Sequence, residues 1–250
     1  SWSGTVGNDD VSTRVLAALA ADGVDLSLVR REAFAGVIQT VVLVNTRRHT
    51  RTVLYELGAA QPCAEDYPSE AIITASKVLL VDHFGIAGML RAVRMASERQ
   101  IPVVADFGSS DHEGFDELLA AVGHLILSAP FACRLTDAPD PAVAVSRLWN
   151  DTRQAVIATC GSAGCWYRDH TMPSWATHHL PAPDVEAVDT TGCGDVFHGI
   201  YAATLADGLP LEERLQRATI AAAIKATRFA GPISLPTRAE IEEFANRWPG

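Results

Sequence analysis

Short apolar runs alternate with longer amphipathic stretches along much of the chain. Four of the runs have the length and composition of buried strands, at residues 77–81, 102–105, 124–127 and 154–159. Between the first two, Ile86, Leu90, Val93 and Ala96 recur at the spacing of one helix face. This order of strand, helix and strand is a βαβ unit, which predicts an α/β fold. We expect three layers, α/β/α, with a mostly parallel central sheet.

Two segments near the start of the chain depart from this alternation. Residues 41–45 and 52–57 are β-rich runs separated by a polar turn at 46–51. They predict a β-hairpin within residues 39–57, which would form a small β lid. The first ten residues lead into a Gly-bearing turn and a helix without a preceding strand. The sequence therefore predicts that the chain starts in the middle of its fold.

The C-terminal third predicts helices. Leu211, Leu215 and Ala218 lie on one face of a helical segment that ends near Arg228. A last helix is expected to begin at Thr237, because a Thr followed three residues later by Glu240 is the pattern of a capping box.

The composition and charge of the chain indicate one domain and argue against a nucleic-acid-binding or membrane protein. The chain has 250 residues, 48% of them hydrophobic, which is enough to form one large core, so we expect a single domain over residues 1–250. The net charge of −10 includes no dense run of Lys or Arg, which argues against nucleic acid as a partner. Apolar runs are too short to cross a membrane, and the five cysteines lack metal-ligand spacing. These features predict a cytoplasmic protein with reduced thiols.

The most informative segment is Val-Asp-Thr-Thr-Gly-Cys-Gly-Asp-Val-Phe at residues 188–197. Gly192 and Gly194 precede a helical run, and a Gly-bearing turn at a helix start directs backbone N–H groups outward, where they can bind phosphate oxygens. Gly192, Cys193 and Gly194 are therefore the predicted anion hole. Asp195 would hold a carboxylate beside the phosphoryl group and act as the catalytic base. The alternative is an ordinary turn followed by a capping aspartate.

The segment at residues 189–195 closely resembles the C-terminal signature of PfkB sugar kinases, usually written DTxGAGD, with Cys193 in place of alanine. The resemblance covers essentially the whole chain. Residues 3–9 and 23–25 resemble the family's GxVGxD and GVD passages. The resemblance implies a ribokinase-like fold. It also leads us to expect that the family's N-terminal segment, with a sugar-binding aspartate and a Gly-Gly-Asn motif, is lacking.

The same resemblance implies a nucleotide site. Thr159, Gly161 and Gly164 match the family's TxGxxG, and the helix that contains Thr219 would lie near the adenine. A β-hairpin turn is the alternative for the TxGxxG segment. Ser128 matches the Asn of the family's NxxE motif and is assigned to ATP binding. Phe131 stands in place of the Glu, so the usual magnesium shell is in doubt, although ketohexokinase-like members also have the serine.

A monovalent cation, K⁺, is a further implication. By position, its oxygen ligands would come from Asp189, Thr191, Arg228, Ala230 and Ser234, several through backbone carbonyls. A helix C-cap followed by a Pro-rich turn is the alternative interpretation.

Three other residues were open to two interpretations each. His198 could approach the nucleotide or could be a packed histidine. Asp82 and Asp106 close predicted strands, where open α/β sheets bind ligands, and either could instead cap a turn.

The function that follows is ATP-dependent transfer of the γ-phosphate to a hydroxyl of a sugar or sugar derivative, with Mg²⁺ and K⁺ as cofactors. Serine at position 128 favours ketoses or acidic sugar derivatives, and the hairpin suggests a homodimer. A nucleoside kinase and a non-catalytic sugar or nucleotide sensor are the alternatives. The sequence contains no GxxxxGK[ST] motif, which excludes a P-loop NTPase.

Overall fold

The structure is a computed structural model that describes residues 1–45, 50–173, 176–229 and 235–248. The chain divides into two compact units, Ser1–Ser69 and Glu70–Gly250, which are described separately.

The first unit contains two pairs of strands and one helix. In chain order these are β1 (Gly4–Val6), α1 (Asp10–Ala21), β2 (Val29–Arg31), β3 (Gln39–Asn45) and β4 (Thr50–Glu56). β1 pairs with β2 in parallel, and α1 lies between them in the chain. The expectation that no strand precedes the first helix was therefore wrong. β1 has only three residues, too few for an alternating pattern, and its partner is remote in sequence.

β3 and β4 pair in an antiparallel ladder that runs from Gln39 opposite Glu56 to Asn45 opposite Thr50. Thr50 and Arg51, placed in the turn by the sequence, belong to β4, and residues 46–49 lie outside the described residues. The ladder exposes large apolar side chains, namely Val41, Leu43, Val53, Leu54 and Tyr55.

The second unit is built on a six-stranded sheet. Its strands are β5 (Leu79–Val81), β6 (Val103–Asp106), β7 (His124–Ser128), β8 (Ala155–Thr159), β9 (Cys165–Asp169) and β10 (His178–Leu180), in the spatial order β10-β9-β8-β7-β6-β5. β5 to β8 are parallel, whereas β9 and β10 are antiparallel to their neighbours. The mostly parallel sheet that the sequence predicts is confirmed, and each of its four predicted strands is present within two residues of the expected bounds.

Helices connect the strands and extend the chain beyond them. They are α2 (Glu70–Thr74), α3 (Ile86–Glu98), α4 (Phe115–Ala121), α5 (Ala129–Thr136), α6 (Pro141–Leu148), α7 (Cys193–Ala206), α8 (Leu211–Ala226) and α9 (Arg238–Ala245). Thr237 and Glu240 form the predicted capping box at the start of α9. Within the described ranges, no helix combines the length and the apolar character needed to cross a membrane.

Side chains of one strand show how the layers are filled. Along β7, Leu125 and Leu127 point into the core cluster that includes residues of α3 to α6, while Ile126 points into a second cluster with residues of α7 and α8. Successive side chains of a strand face opposite sides of the sheet, so both faces of the central strands are covered. This is the expected α/β/α sandwich, and it places the start of α7 near the carboxyl ends of the strands.

Candidate active site

The site is organised around the first turn of α7. Gly192 is the N-cap residue and has φ of 77°, a left-handed conformation that favours glycine. The Asp189 carboxylate accepts a hydrogen bond from the Thr191 N–H at 2.9 Å and so fixes the turn that leads into the helix. The helix continues for 14 residues, and the positive end of its dipole lies at this turn. The turn is thus a suitable site for an anion.

A cavity of about 470 Å³ adjoins this turn. Six residues predicted for the nucleotide site and the anion hole line it: Thr159, Gly161, Gly164, Cys193, Gly194 and Thr219. The structure therefore brings together positions that lie as far as 60 residues apart in the chain. Gly192, Asp195 and Ser128 are not among the described residues that line this cavity.

One wall of the cavity comes from the β8–β9 hairpin, whose connection is a 3₁₀ turn at Gly161–Ala163. A Cβ atom on Gly164 would lie only 2.0 Å from the Leu180 carbonyl oxygen, so this glycine is required for packing against the end of β10. A Cβ on Gly161 would meet no atom within 4 Å. Both interpretations of the TxGxxG segment are therefore compatible, because the hairpin turn is itself a cavity wall.

Another part of the cavity lining comes from α8, through Thr219, Ala222, Ala223 and Ala226. The Thr219 hydroxyl is buried and has no hydrogen-bond partner among the described residues. The Cys165 thiol is near enough to interact with it, but sulfur is a weak hydrogen-bond acceptor. Burial raises the pKa of Cys165 to about 12, so this thiol is protonated at neutral pH. α8 thus offers the cavity a small apolar surface, and the unpaired hydroxyl is buried beneath it.

Asp195 lies in the first turn of α7 and is exposed. A Cβ atom on the preceding residue, Gly194, would meet no atom within 4 Å, so a ligand can approach the backbone closely there. Burial raises the pKa of Asp106, at the end of β6; the His198 imidazole lowers it and the Asp195 carboxylate raises it. Asp195 is therefore electrostatically coupled to the carboxyl edge of the sheet and remains accessible to a substrate hydroxyl.

The structure decides between interpretations at two neighbouring positions. His198 is buried, with Nδ1 2.8 Å from the Gly194 carbonyl oxygen and Nε2 3.1 Å from that of Ile126, so it is the packed histidine. Asp82 accepts a hydrogen bond from the Phe84 N–H at 2.7 Å and caps the turn after β5. Burial raises the pKa of Asp82, and the nearby Asp106 carboxylate raises it further.

Ser128 caps a helix rather than lining the cavity. It is the N-cap residue of α5, and its hydroxyl accepts a hydrogen bond from the Phe131 N–H at 3.4 Å. Its partner in the sheet register is Thr159, which does line the cavity, so Ser128 lies beside the site. Phe131 is buried and its ring contacts Phe115 edge to face, which makes it a core residue.

The described residues contain no cluster of three or more His, Cys, Asp or Glu side chains arranged to hold a metal ion. In many phosphotransfer sites, Mg²⁺ is held by substrate phosphates and water with one or two carboxylates. The exposed carboxylate of Asp195 is of the right chemical type for such a role.

Two carbonyl oxygens of the predicted K⁺ site are already bound by a lysine side chain. The Lys225 Nζ donates hydrogen bonds to the carbonyl oxygens of Asp189 at 3.3 Å and Arg228 at 3.4 Å. A second cation at these oxygens would meet the ammonium charge, so these carbonyls do not fit K⁺. Ala230 and Ser234 lie outside the described residues.

Comparison with known proteins agrees with this geometry. The model of the pfkB family of carbohydrate kinases matches residues 1–238. The chain belongs to this family. Among pfkB relatives, ribokinase of Schizosaccharomyces pombe is 25% identical over 252 residues, which cover 97% of this chain and 78% of the relative.

Solved structures agree on the fold. A candidate ribokinase from Agrobacterium tumefaciens is 28% identical with a TM-score of 0.88, and the match covers 98% of this chain and 80% of the other. A candidate ribokinase II from Escherichia coli, solved with ATP and Mg²⁺, is 21% identical with a TM-score of 0.82, over 98% of this chain and 82% of the other. The ribokinase-like fold expected from the sequence is confirmed.

Sequence reasoning missed part of the cavity wall. Residues 182–185 and 187, together with Phe197, also line it. The helix that contains Thr219 was expected near the adenine, and its Ala222, Ala223 and Ala226 do line the cavity. The 182–187 segment has no comparable signal, because it is a loop without a motif.

Proposed function

We propose that this protein transfers the γ-phosphate of ATP to a hydroxyl group of a sugar or sugar derivative. One observation carries the proposal: a nucleotide-sized cavity lies against the first turn of α7, and that turn also presents the exposed Asp195 carboxylate. Membership of the carbohydrate kinase family and the ATP and Mg²⁺ bound by the Escherichia coli neighbour support it.

The adenine would lie between the alanine surface of α8 and the hairpin turn at Gly161–Ala163. A flat, largely apolar base matches a wall built from small side chains. Thr219 lines the cavity, but its hydroxyl oxygen is buried, so this wall contacts the base through apolar atoms.

The phosphates would extend toward Cys193 and Gly194, which line the same cavity. Both residues belong to the first turn of α7, where backbone N–H groups point out of the helix end. The Cys193 N–H also donates to the Thr190 carbonyl oxygen at 3.3 Å. The helix dipole adds a partial positive charge at this point. These groups would offset negative charge on the transferring phosphoryl oxygens, with Mg²⁺ contributing further charge when it is bound.

Asp195 would act as the general base. Its carboxylate accepts the proton of the substrate hydroxyl as that oxygen forms a bond to the γ-phosphorus, and the bond from the γ-phosphorus to the bridging oxygen breaks to release ADP. Gly194 leaves the backbone open to the reacting group. Most of the rate acceleration would come from alignment of the two reactants and from the fixed amides.

The exposed apolar residues of the β3–β4 hairpin support pairing with a second copy of the chain, as a homodimer.

The test is an ADP-release assay with Mg-ATP and a panel of sugars, sugar acids, sugar phosphates and nucleosides. We expect ADP release that depends on a sugar, and a loss of about 10² to 10⁴ in kcat for Asp195→Asn with ATP binding retained. Asp207→Asn is the matched control, because Asp207 is at the other end of α7.

Near-normal turnover in Asp195→Asn would refute the base assignment. A signal with nucleosides alone would favour the nucleoside kinase. ATP binding without turnover on any acceptor would favour the sensor.

A further inference from the structure

Lys225 lies in the last turn of α8 and is buried, although lysine rarely is. Only two lysines occur in the whole sequence, and the other, Lys77, is exposed. Burial of an ammonium group is costly unless hydrogen bonds compensate it. Here the Nζ atom donates to the carbonyl oxygens of Asp189 and Arg228.

These two carbonyls belong to two of the three described residues from which family resemblance implied K⁺ ligands; the third is Thr191. Potassium is bound in proteins by carbonyl oxygens that replace its hydration shell. An ammonium group also carries one positive charge and also satisfies carbonyl oxygens, through three N–H donors. The lysine therefore meets the same chemical need at two of the implied residues.

The position of Lys225 links it to the anion hole. The N–H groups of Val188 and Asp189 donate to the carbonyl oxygen of Ala226, at 2.7 Å and 3.1 Å. The end of α8 thus fixes the segment that leads into the turn. The Lys225 Cε atom lies 3.9 Å from the point where a Cβ on Gly192 would be. The lysine side chain thus runs directly behind the turn that presents the N–H groups.

We propose that Lys225 is a built-in monovalent cation, which fixes the 189–192 turn and makes the enzyme independent of K⁺. This rests on the proposed function, since the turn matters through phosphate binding. The ammonium supplies the charge and the carbonyl contacts that a bound K⁺ would supply. Lys225 is a positioning residue, because it acts through the backbone and not on the reacting atoms.

The first test compares monovalent cations on the unmodified protein. We expect equal kcat and KM in K⁺, Na⁺ and tetramethylammonium salts at matched ionic strength. Melting temperature and ATP affinity, measured by calorimetry, should likewise show no K⁺-specific change. A K⁺-specific rise in kcat, ATP affinity or melting temperature would overturn the proposal.

The second test uses Lys225→Ala, which leaves the carbonyls without the ammonium. We expect at least about a tenfold loss of kcat in tetramethylammonium, with partial recovery in K⁺ or in a small alkylammonium salt. Lys225→Met, which keeps much of the apolar stem, should lose activity but recover less, because its side chain occupies the space. Lys77→Ala is the matched control and should keep the activity in every salt.

The outcomes separate this inference from the function itself. If no acceptor supports turnover in the unmodified protein, the proposed function fails, and the calorimetric comparison of cations still tests Lys225. If the unmodified protein turns over sugar and Lys225→Ala matches it in tetramethylammonium, the function stands and the role of Lys225 is refuted. If the Lys225→Ala protein fails to fold, the comparison of cations on the unmodified protein decides the question alone.

Discussion

Replacement of Thr219 by valine should not destabilise the protein, although the side chain is buried. Valine has nearly the same shape as threonine and lacks the hydroxyl. That hydroxyl has no hydrogen-bond partner among the described residues, so its removal breaks no bond of normal geometry. A buried, unpaired hydroxyl costs about 1–3 kcal/mol, part of which the substitution should recover.

Thr204→Val provides the matched control. Thr204 is also a buried helix threonine, but its hydroxyl donates to the Ile200 carbonyl oxygen at 2.7 Å. Loss of such a bond costs about 0.5–1.5 kcal/mol. Since both substitutions change shape and helix propensity equally, the difference between the two variants isolates hydrogen bonding at the two hydroxyls.

Urea denaturation followed by circular dichroism measures the free energy of unfolding for both variants. We expect Thr219→Val to equal or exceed the unmodified protein by up to about 1 kcal/mol, and Thr204→Val to fall below it by about 1 kcal/mol. In a chain of this size, 1 kcal/mol corresponds to about 2–4 °C in melting temperature.

The same substitution should leave ATP binding nearly unchanged. The hydroxyl oxygen is buried and does not reach the cavity surface, so its loss should change the Kd for ATP by less than about twofold. Equal destabilisation of the two variants would show that the Thr219 hydroxyl has a partner in the folded protein, and the reasoning would then fail.

Two further predictions concern stability. Gly164→Ala should lower the free energy of unfolding by about 3 kcal/mol or more, because its Cβ would lie 2.0 Å from the Leu180 carbonyl oxygen. Gly161→Ala meets no atom within 4 Å and should lower it by only about 1–2 kcal/mol, because of its positive φ. Urea denaturation midpoints of the two variants measure the difference. Burial lowers the pKa of His124 from 6.5 to about 3, so the unfolded chain takes up the proton first and stability falls as pH drops below 6.5, by about 1.4 kcal/mol per pH unit. His124→Gln should flatten this slope between pH 6.5 and 4, and an unchanged slope would contradict the assignment.

The central sheet could be predicted because its strands are buried on both faces. Such strands appear as unbroken apolar runs, and the apolar positions from Ile86 to Ala96 that predicted a helix all lie in α3. β1 was missed because its three residues carry no periodic pattern and its stability comes from pairing with β2. Local sequence cannot report a pairing that joins segments about 25 residues apart.

The site divides in the same way. The anion-hole turn was predictable because glycine at positive φ and a following helix are local features, and Gly192 shows both. The K⁺ ligands were inferred by position in the motif. Lys225, which is not part of that motif, binds two of the carbonyl oxygens instead. Its role depends on the end of α8 meeting the 188–189 segment, which is a tertiary contact.

The overall charge of the chain is a poor guide to this site. A net charge of −10 would repel a nucleotide polyanion at long range, but salt screens charges beyond about 8 Å at physiological ionic strength. What a bound phosphate experiences is therefore local. Among the described residues that line the cavity, Asp184 is the one carboxylate, while the start of α7 contributes the positive end of its dipole. Lys225, buried behind the same turn, adds a full positive charge where solvent screens it least. In the proposed nucleotide site, these two fixed positive sources would act against the carboxylates of Asp189 and Asp195, which belong to the same turn.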